Sequence, residues 1–191
     1  MLKDLIVKNR SCRRFYQESS VDKDTLIDLV DMARLSASAA NLQPLKYLLS
    51  NRPETNEIIY RHLAWAGYLA DWPGPELGER PSAYIIILLD TAISKSCGCD
   101  HGIAAQSILL GAVEKGLGGC MIASIQKNQL KPPLNIPARF EILLVIALGK
   151  PKEVINIEDI GPEGNIEYWR DNEGVHHVPK RALKDIIIDP E

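Results

Sequence analysis

The chain has 191 residues, of which 46% are hydrophobic and 25% are charged, and its formal net charge is -3. This composition is that of a globular protein and argues against intrinsic disorder. A mildly acidic chain has no general attraction for nucleic acid or for a membrane surface, because polyanion binders carry a basic surplus. No segment reaches the ~18 apolar residues of a membrane span, and the start lacks the features of a signal peptide. We expect a cytoplasmic protein with reduced cysteines.

Hydrophobic spacing and turn residues predict the elements in chain order. An apolar stripe at Leu2, Leu5 and Ile6 indicates a short helix that ends near Asn9. A longer amphipathic helix follows, with Asp22 as its N-cap. The predicted helices cover residues 21–36, 55–70 and 103–113, the predicted strands cover 47–50, 83–89, 120–125 and 140–148, and a Pro- and Gly-rich loop covers 72–81.

Three of these segments say more about the fold. Residues 83–89 are apolar without interruption, which predicts a strand covered on both faces. Helix 103–113 is apolar nearly all round, so we place it at the centre of a domain or at a subunit interface. Residues 151–180 are polar and have no sustained period, which predicts a tail that wraps over a surface, either of this chain or of a partner subunit. The order indicates an α+β or α/β layer with few strands.

A basic run follows the first helix. Arg10, Arg13 and Arg14 bring three guanidinium groups close to the hydroxyl of Ser11. Arginine presents a planar fork of donors that matches phosphate oxygens, so the run has the outline of an anion site. A solvated charged face is the alternative, since small basic clusters are common on surfaces. In an acidic chain a small anionic ligand is favoured over a polyanion.

A second polar segment, residues 38–44, is small and rich in amides. Asn41 and Gln43 can both donate and accept hydrogen bonds. The segment could merely end the preceding helix, because Pro44 restricts the residue before it. Together with the basic run, it suits a ligand that has a phosphate tail and a heteroaromatic head.

The sequence gives little support for a metal site, a catalytic triad or a dinucleotide-binding fingerprint. Cys97, Cys99 and His101 are close in sequence, but a closed zinc site needs a further spaced pair of ligands, so we predict no metal. The sequence contains no recognisable Ser-His-Asp or Cys-His grouping of the kind that activates a nucleophile. The glycines of segment 116–119 end a helix, whereas a dinucleotide fingerprint would open one.

Several motifs resemble, in the same order, those of the FMN-dependent nitroreductase family, and the resemblance covers most of the chain. The matching segments are Arg10-Ser-x-Arg13-x-Phe15, Ser38-x-x-Asn41-x-Gln43-Pro44, Asp100-x-Gly102-x-Ala104-Ala105, Gly116-Leu117-Gly118, Ala147-Leu148-Gly149-Lys150-Pro151 and Lys180-Arg181-x-Leu183. The motif spacing favours Arg13 over Arg14 as the second phosphate ligand.

The resemblance implies an α+β fold with a mixed β-sheet flanked by helices. It implies one domain over residues 1–191 and an intertwined homodimer in which segment 151–191 crosses to the partner. It also implies FMN as cofactor at the subunit interface and NADH or NADPH as reductant. The implied FMN-binding residues are Arg10, Ser11, Arg13, Lys180 and Arg181 at the phosphate, Ser38, Ala39, Asn41 and Gln43 from the other subunit at the ring, and Met121, Ile122 and Ala123 along one ring face.

The implied activity is the ping-pong, two-electron reduction of an electron-poor acceptor such as a nitroaromatic or a quinone, with no obligatory protein acid or base. Reductive dehalogenation, oxygen-dependent flavin chemistry and a non-enzymatic flavin carrier stay open as alternatives. The chain has Ala37, Leu45 and Lys150 where the family usually has Pro, Trp and Tyr. These departures bear on the substrate pocket more than on the phosphate site.

Overall fold

The computed structural model describes residues 1–189. The chain divides into two compact units, which are described separately. The first unit contains Met1–Trp65 and Pro73–Lys152, and the second contains Ala66–Trp72 and the chain from Glu153 onward. Among the described residues, no helix is both long enough and apolar enough to span a membrane.

The first unit is a five-stranded sheet with helices on both faces. Its helices are α1 (Leu2–Lys8), α2 (Lys23–Arg34), α3 (Pro53–Arg61), α4 (Asp100–Glu114) and α5 (Lys127–Leu130). Its strands are β1 (Phe15–Tyr16), β2 (Leu45–Ser50), β3 (Ala83–Asp90), β4 (Gly118–Ile122) and β5 (Phe140–Pro151). The strand order is β2–β3–β5–β4, with β1 paired to the far end of β5, and every strand pairing is antiparallel.

Strand β3 lies at the centre of the unit and all of its residues are buried. Because successive side chains of a strand point to opposite faces, Ile85 and Ile87 pack with α2 and α4, whereas Tyr84 and Ile86 pack with α3 and α5. The prediction of a strand covered on both faces is confirmed. Helix α4 packs its small residues against this sheet, as its apolar sequence indicates.

Helix ends follow the predicted signals. The carboxylate of Asp22 accepts a hydrogen bond from the Thr25 backbone N–H at 2.6 Å, which confirms the N-cap of α2. Gly116 follows the end of α4 with φ of 74°, a left-handed conformation that glycine adopts without steric cost. Strand β4 begins at Gly118, slightly earlier than the predicted segment 120–125.

The third helix is shorter than predicted. It ends at Arg61, whereas the apolar spacing predicts a helix over 55–70. The segment after it instead hydrogen-bonds along residues 124–126: the backbone N–H of Ala64 donates to the Ser124 carbonyl at 3.0 Å, and Leu63 forms a bridge with Ile125. These tertiary hydrogen bonds replace helical ones, so the local preference is overridden.

The second unit contains a small sheet that the sequence does not predict. It consists of β6 (Ile155–Asp159), β7 (Trp169–Arg170) and β8 (His176–Lys180), followed by a 3-10 turn at Leu183–Asp185. The β6–β8 pairing is parallel and the β7–β8 pairing is antiparallel. The sequence analysis names no strand within 151–180, so these three strands are an addition to it, and a tail that wraps over a surface stays a prediction. Contacts between distant polar and aromatic side chains hold this sheet, and no hydrophobic period reveals them.

The α+β class is confirmed. Mixed strand pairing occurs in the small sheet, whereas the large sheet is antiparallel in its strand pairings. A single domain over 1–191, with segment 151–191 crossing to a partner subunit, stays a prediction.

Candidate functional site

The basic loop, residues 10–13, follows α1 and lies beside β4. The backbone N–H of Cys12 donates to the Gly119 carbonyl at 3.0 Å, and Ser11 forms a parallel bridge with the same glycine. Gly119 is required there, because a Cβ at this position would come within 2.5 Å of a Leu109 methyl group. Close backbone contact between the loop and the strand thus fixes the position of the loop.

Arg10 is half-buried and is only partly engaged. Its Nη2 donates to the Ile6 carbonyl at 3.0 Å, which holds the side chain against α1. Its Nε is buried and has no hydrogen-bond partner among the described residues. Burial lowers the pKa of this guanidinium from its ordinary value, yet arginine stays charged. Ser11 beside it is exposed, and the Arg13 Nη1 donates to the Ser11 carbonyl at 3.2 Å. The loop therefore presents cationic donors and a hydroxyl.

Arg14 has a structural partner. Its guanidinium contacts the Glu79 carboxylate through Nε at 2.5 Å and through Nη2 at 2.7 Å, and Lys152 lies 2.9 Å from the same carboxylate. The hydrogen bond from Arg14 is the main reason why the pKa of Glu79 falls to about 2. Arg14 thus neutralises a carboxylate in this structure, and the motif spacing is what favours Arg13 as the anion ligand.

The end of β4 presents an apolar surface. Ile122 is buried and its side chain belongs to the core cluster with α3 and α5. Met121 is 36% exposed and Ala123 is exposed. Of the three residues expected along a ring face, only Met121 and Ala123 can offer side chains there, while Ile122 can offer its backbone.

The amide-rich loop, residues 38–43, has a strained backbone. Ala40, Asn41 and Gln43 have φ of 49°, 54° and 50°. Residues with a Cβ rarely adopt this left-handed region, so the surrounding structure must hold them in it. The Gln43 Nε2 donates to Asn41 Oδ1 at 3.0 Å and to the Asn41 carbonyl at 3.1 Å, which joins the two predicted ring-binding amides to each other.

Asp100, the first residue of α4, anchors this loop. Its Oδ2 accepts a hydrogen bond from the Ser38 hydroxyl at 2.6 Å, and its Oδ1 accepts one from the Ala39 backbone N–H at 3.0 Å. The Ser38 hydroxyl oxygen in turn accepts the Gln43 N–H at 2.9 Å. Asp100 is only 3% exposed, so this charged group is buried with two charge-assisted partners.

Asp100 was not among the predicted site residues, although it lies in one of the matching motifs. An aspartate at a helix start normally indicates only favourable interaction with the helix dipole. Its contact with the loop joins elements 61 residues apart, and nothing in the local sequence reveals it. Ser38 and Ala39, by contrast, were predicted to contact the ring, and the structure uses the Ser38 hydroxyl and the Ala39 N–H to hold the loop.

A cavity of about 190 Å³ lies beside the amide-rich loop. Ser38, Gln43, Tyr47 and Asp100 contribute to its wall. Burial, with a smaller effect from the charge of Asp100, raises the pKa of Tyr47 to about 12. Its hydroxyl is therefore neutral at physiological pH.

The remaining candidates belong to other segments of the chain. Lys180 ends β8 in the second unit, and both it and Arg181 are exposed. The Cys97 Sγ lies 3.4 Å from the His101 Nδ1, and Cys99 is exposed. Within the described part of the chain, no group of three or more His, Cys, Asp or Glu side chains is arranged to hold a metal ion.

Comparison with known proteins is consistent across sequence and structure. The sequence model of the nitroreductase family matches residues 6–81 and 98–150. A relative from Bacillus subtilis strain 168, YodC, whose name describes an NAD(P)H nitroreductase, is 22% identical over 201 residues, covering 87% of this chain and 97% of its own.

Solved structures give the same result. A nitroreductase family protein from Clostridium novyi NT is 26% identical, with a TM-score of 0.67, and the match covers 80% of this chain and 87% of that one. The NADPH:FMN oxidoreductase from Vibrio harveyi, solved as a complex with NAD+, is 21% identical, with a TM-score of 0.62. The match covers 80% of this chain and 69% of that one.

The first unit has a central antiparallel sheet between helices, a basic loop beside β4 and an anchored amide-rich loop. Together with the similarities to known proteins, these features define a protein of the nitroreductase fold. Because the family model matches more than half of the chain, the chain belongs to the nitroreductase family. The resemblance seen in the sequence motifs is confirmed.

Proposed function

We propose that this protein is an FMN-dependent NAD(P)H oxidoreductase that reduces electron-poor acceptors such as nitroaromatics and quinones. The observation that carries the proposal is the half-buried Arg10, whose buried Nε has no partner in the described part of the chain. An arginine held in place with an unused donor, next to the exposed Ser11, fits a phosphate group. The names of the relatives support the same cofactor and reductant.

The phosphate of FMN would bind at the basic loop. Arg10 and Arg13 would donate from their guanidinium groups and Ser11 from its hydroxyl. The exposed Lys180 and Arg181 are proposed to complete the phosphate site. Cations around one phosphate provide charge-assisted hydrogen bonds, which are shorter and stronger than neutral ones.

The isoalloxazine ring would bind at the amide-rich loop of the other subunit. Asn41 and Gln43 are exposed and can present amide groups to the polar edge of the ring. Ser38 and Ala39 would act by fixing the loop through Asp100, which leaves the amides in one orientation before the ligand arrives. Met121 and Ala123 would cover one face with apolar surface.

Bound FMN would supply the redox chemistry, accepting a hydride from NADH or NADPH and giving two electrons to the acceptor. The protein residues then bind and orient the ring and exclude water from one of its faces. None of the proposed cofactor-binding side chains is placed as an obligatory acid or base. Donor and acceptor would use the same open face in turn, which is a ping-pong scheme.

We also propose a homodimer, because the two proposed parts of the FMN site come from different subunits. The C-terminal segment supports this with several exposed apolar side chains, which a partner would cover. Ile186, Ile187 and Ile188 are 61%, 55% and 90% exposed.

Steady-state kinetics test the reaction scheme. With FMN-loaded protein, rates are measured while NADH or NADPH and a nitroaromatic or quinone are varied together. Alternate use of one site predicts parallel lines in double-reciprocal plots. Intersecting lines would contradict the ping-pong scheme, and a protein that binds FMN without reducing any acceptor would be a flavin carrier.

A further inference from the structure

A second cavity of the first unit, the Arg80 cavity, has a volume of about 220 Å³. It is formed by one side of α3, the start of β3 with the residues just before it, and the loop that follows β1. None of its lining residues belongs to the basic loop or to the amide-rich loop. The lining residues that matter here are Asn56, Glu57, Tyr60, Arg80, Ser82 and Tyr84.

Three polar atoms of the lining residues are buried and have no hydrogen-bond partner among the described residues. They are Arg80 Nε, Ser82 Oγ and Tyr84 Oη. Tyr84 is 0% exposed and Ser82 is 9% exposed. Buried polar atoms in native proteins nearly always have partners, because an unpartnered one loses its hydration without compensation. Three of them in one cavity therefore indicate a site for a polar ligand.

The acceptors in the same wall are already engaged. The Glu57 carboxylate accepts from Arg80 Nη1 at 2.6 Å and from Arg61 Nε at 2.7 Å. The Asn56 Oδ1 accepts from the Ser50 hydroxyl at 2.7 Å, while its amide nitrogen donates to the Ser82 carbonyl at 2.8 Å. The polar groups of this wall that remain for a ligand are therefore mainly hydrogen-bond donors.

The cation of the cavity is also held in place. The guanidinium carbon of Arg80 lies 3.9 Å from the centre of the Tyr60 ring, and the Tyr60 hydroxyl donates to the Pro75 carbonyl at 2.8 Å. Two arginines share the negative charge of Glu57. Glu18 also lines the cavity but is exposed to solvent, which screens its charge.

The two hydroxyl groups can act as donors. Burial raises the pKa of the Tyr84 hydroxyl well above its usual range, so this group stays protonated. Serine is protonated at any physiological pH. With Arg80 Nε–H, the lining residues thus carry three donors without a partner among the described residues, and a carboxylate has two oxygens with enough lone pairs to accept all of them.

We propose that the Arg80 cavity is a binding site for a small organic carboxylate, held by Arg80 Nε, Ser82 Oγ and Tyr84 Oη. The site is separate from the proposed FMN site and does not depend on the proposed redox function. Its volume suits a small molecule and exceeds what one water molecule requires.

Amide chemical-shift titrations of the FMN-loaded protein test the proposal, with acetate, butyrate and benzoate as probes and chloride at equal ionic strength as the reference. We expect saturable shifts at the backbone amides of residues 80–84 for at least one carboxylate. Tyr84→Phe, which removes only the hydroxyl, should weaken that binding roughly tenfold, as the loss of one hydrogen bond would. Tyr16→Phe, on the exposed tyrosine of β1, should leave it unchanged.

Thermal unfolding without any probe gives a second reading. Since the Tyr84 hydroxyl is buried without a partner, Tyr84→Phe should unfold at the same or a higher temperature than the wild type. A lower unfolding temperature would show that bound water already satisfies the hydroxyl, which would overturn the proposal. The absence of saturable shifts with all three carboxylates would overturn it as well, as would equal shifts with inorganic phosphate alone.

Discussion

At the scale of single residues, Arg10 is the side chain on which the FMN proposal depends most. Arg10→Ala should weaken FMN binding by about 1.5–3 kcal/mol, the loss of a charged hydrogen bond, which corresponds to roughly 10- to 150-fold in affinity. Fluorescence titration with FMN measures this change. Arg52→Ala, on an exposed arginine that caps α3, is the control and should bind FMN as the wild type does. Equal affinity of Arg10→Ala and wild type would remove Arg10 from the phosphate site.

Asp100 is proposed as a positioning residue, because it holds the amide-rich loop. Asp100→Asn replaces one acceptor oxygen by an amide that cannot accept, so either Ser38 or Ala39 loses its partner. We expect a loss of about 1–3 kcal/mol in the free energy of unfolding, together with weaker FMN binding that Ser38→Ala reproduces in part. Urea unfolding and FMN titration measure the two effects. The matched control is Asp28→Asn, at an exposed aspartate of α2 that pairs with Lys115.

If Asp100→Asn lost stability but bound FMN normally, the loop would not need Asp100 to hold its amides. The sequence could identify Asn41 and Gln43 as polar groups at a turn, but it could not show that Asp100 orders them. That information lies in a contact between segments far apart in the chain. Arg14 illustrates the same limit, because only the structure shows that Glu79 occupies it.

At the scale of elements, the close contact between the basic loop and β4 depends on Gly119. An added Cβ would lie 2.5 Å from Leu109 Cδ2 and 2.7 Å from the Ala147 carbonyl oxygen. Gly119→Ala should therefore destabilise the protein by about 1–3 kcal/mol, the usual cost of overpacking a core. Gly102→Ala in α4 is the control: no atom lies within 4 Å of its added Cβ, so alanine should be neutral or stabilise by up to about 1 kcal/mol.

Thermal or urea unfolding distinguishes the two variants. Equal stability of Gly119→Ala and the wild type would mean that β4 and α4 can separate without cost. In that case the position of the basic loop would not be fixed by packing.

One histidine contacts several parts of the small sheet in the second unit. His177 Nδ1 lies 3.0 Å from a Glu158 oxygen on β6, Nε2 lies 3.2 Å from an Asp171 oxygen after β7, and the ring stacks on Trp169 at 4.1 Å. These contacts involve all three strands of the sheet. The hydrogen bond with Asp171 is the main reason why the pKa of His177 is raised above its ordinary value of 6.5.

A raised pKa gives a definite pH dependence. The stabilisation by protonated His177 is fully present below pH 6.5, the unfolded value, and is lost as the pH rises through the higher folded value. A titration followed by NMR should show His177 losing its proton above pH 6.5, and Asp171→Asn should move this pKa back down. A titration at or below 6.5 in the wild type would contradict the proposed pairing.

The elements differ in how well the sequence predicts them. Strand β3 is predictable because a strand buried on both faces is apolar at every position. Helix α3 is predicted too long, since the hydrogen bonds that end it reach residues 124–126. The small sheet escapes prediction because polar contacts such as those of His177 hold it together. Hydrophobic periodicity indicates which residues the core buries, but it does not indicate which polar side chains contact each other.

At the scale of the whole molecule, family and fold class are predictable because six motifs occur in the family's order. Assembly is a separate matter and rests on the proposal of a dimer. A Leu183→Asp, Ile187→Asp double variant places charges on exposed apolar positions of the C-terminal segment and should shift the protein toward monomer in sedimentation velocity. Ile93→Asp, at an exposed apolar position of the first unit, is the control. A wild type that sediments as a monomer would contradict the proposal.

The proposed function requires that the protein binds FMN and that a nicotinamide nucleotide reduces the bound FMN. The most direct measurement is the absorbance spectrum of the purified protein, titrated with FMN and then mixed with NADH or NADPH in the absence of oxygen. We expect bound flavin bands that bleach on mixing with at least one of the two nucleotides. Protein that binds no FMN would contradict the proposed function as a whole, and bound FMN that neither nucleotide bleaches would contradict the proposed redox activity.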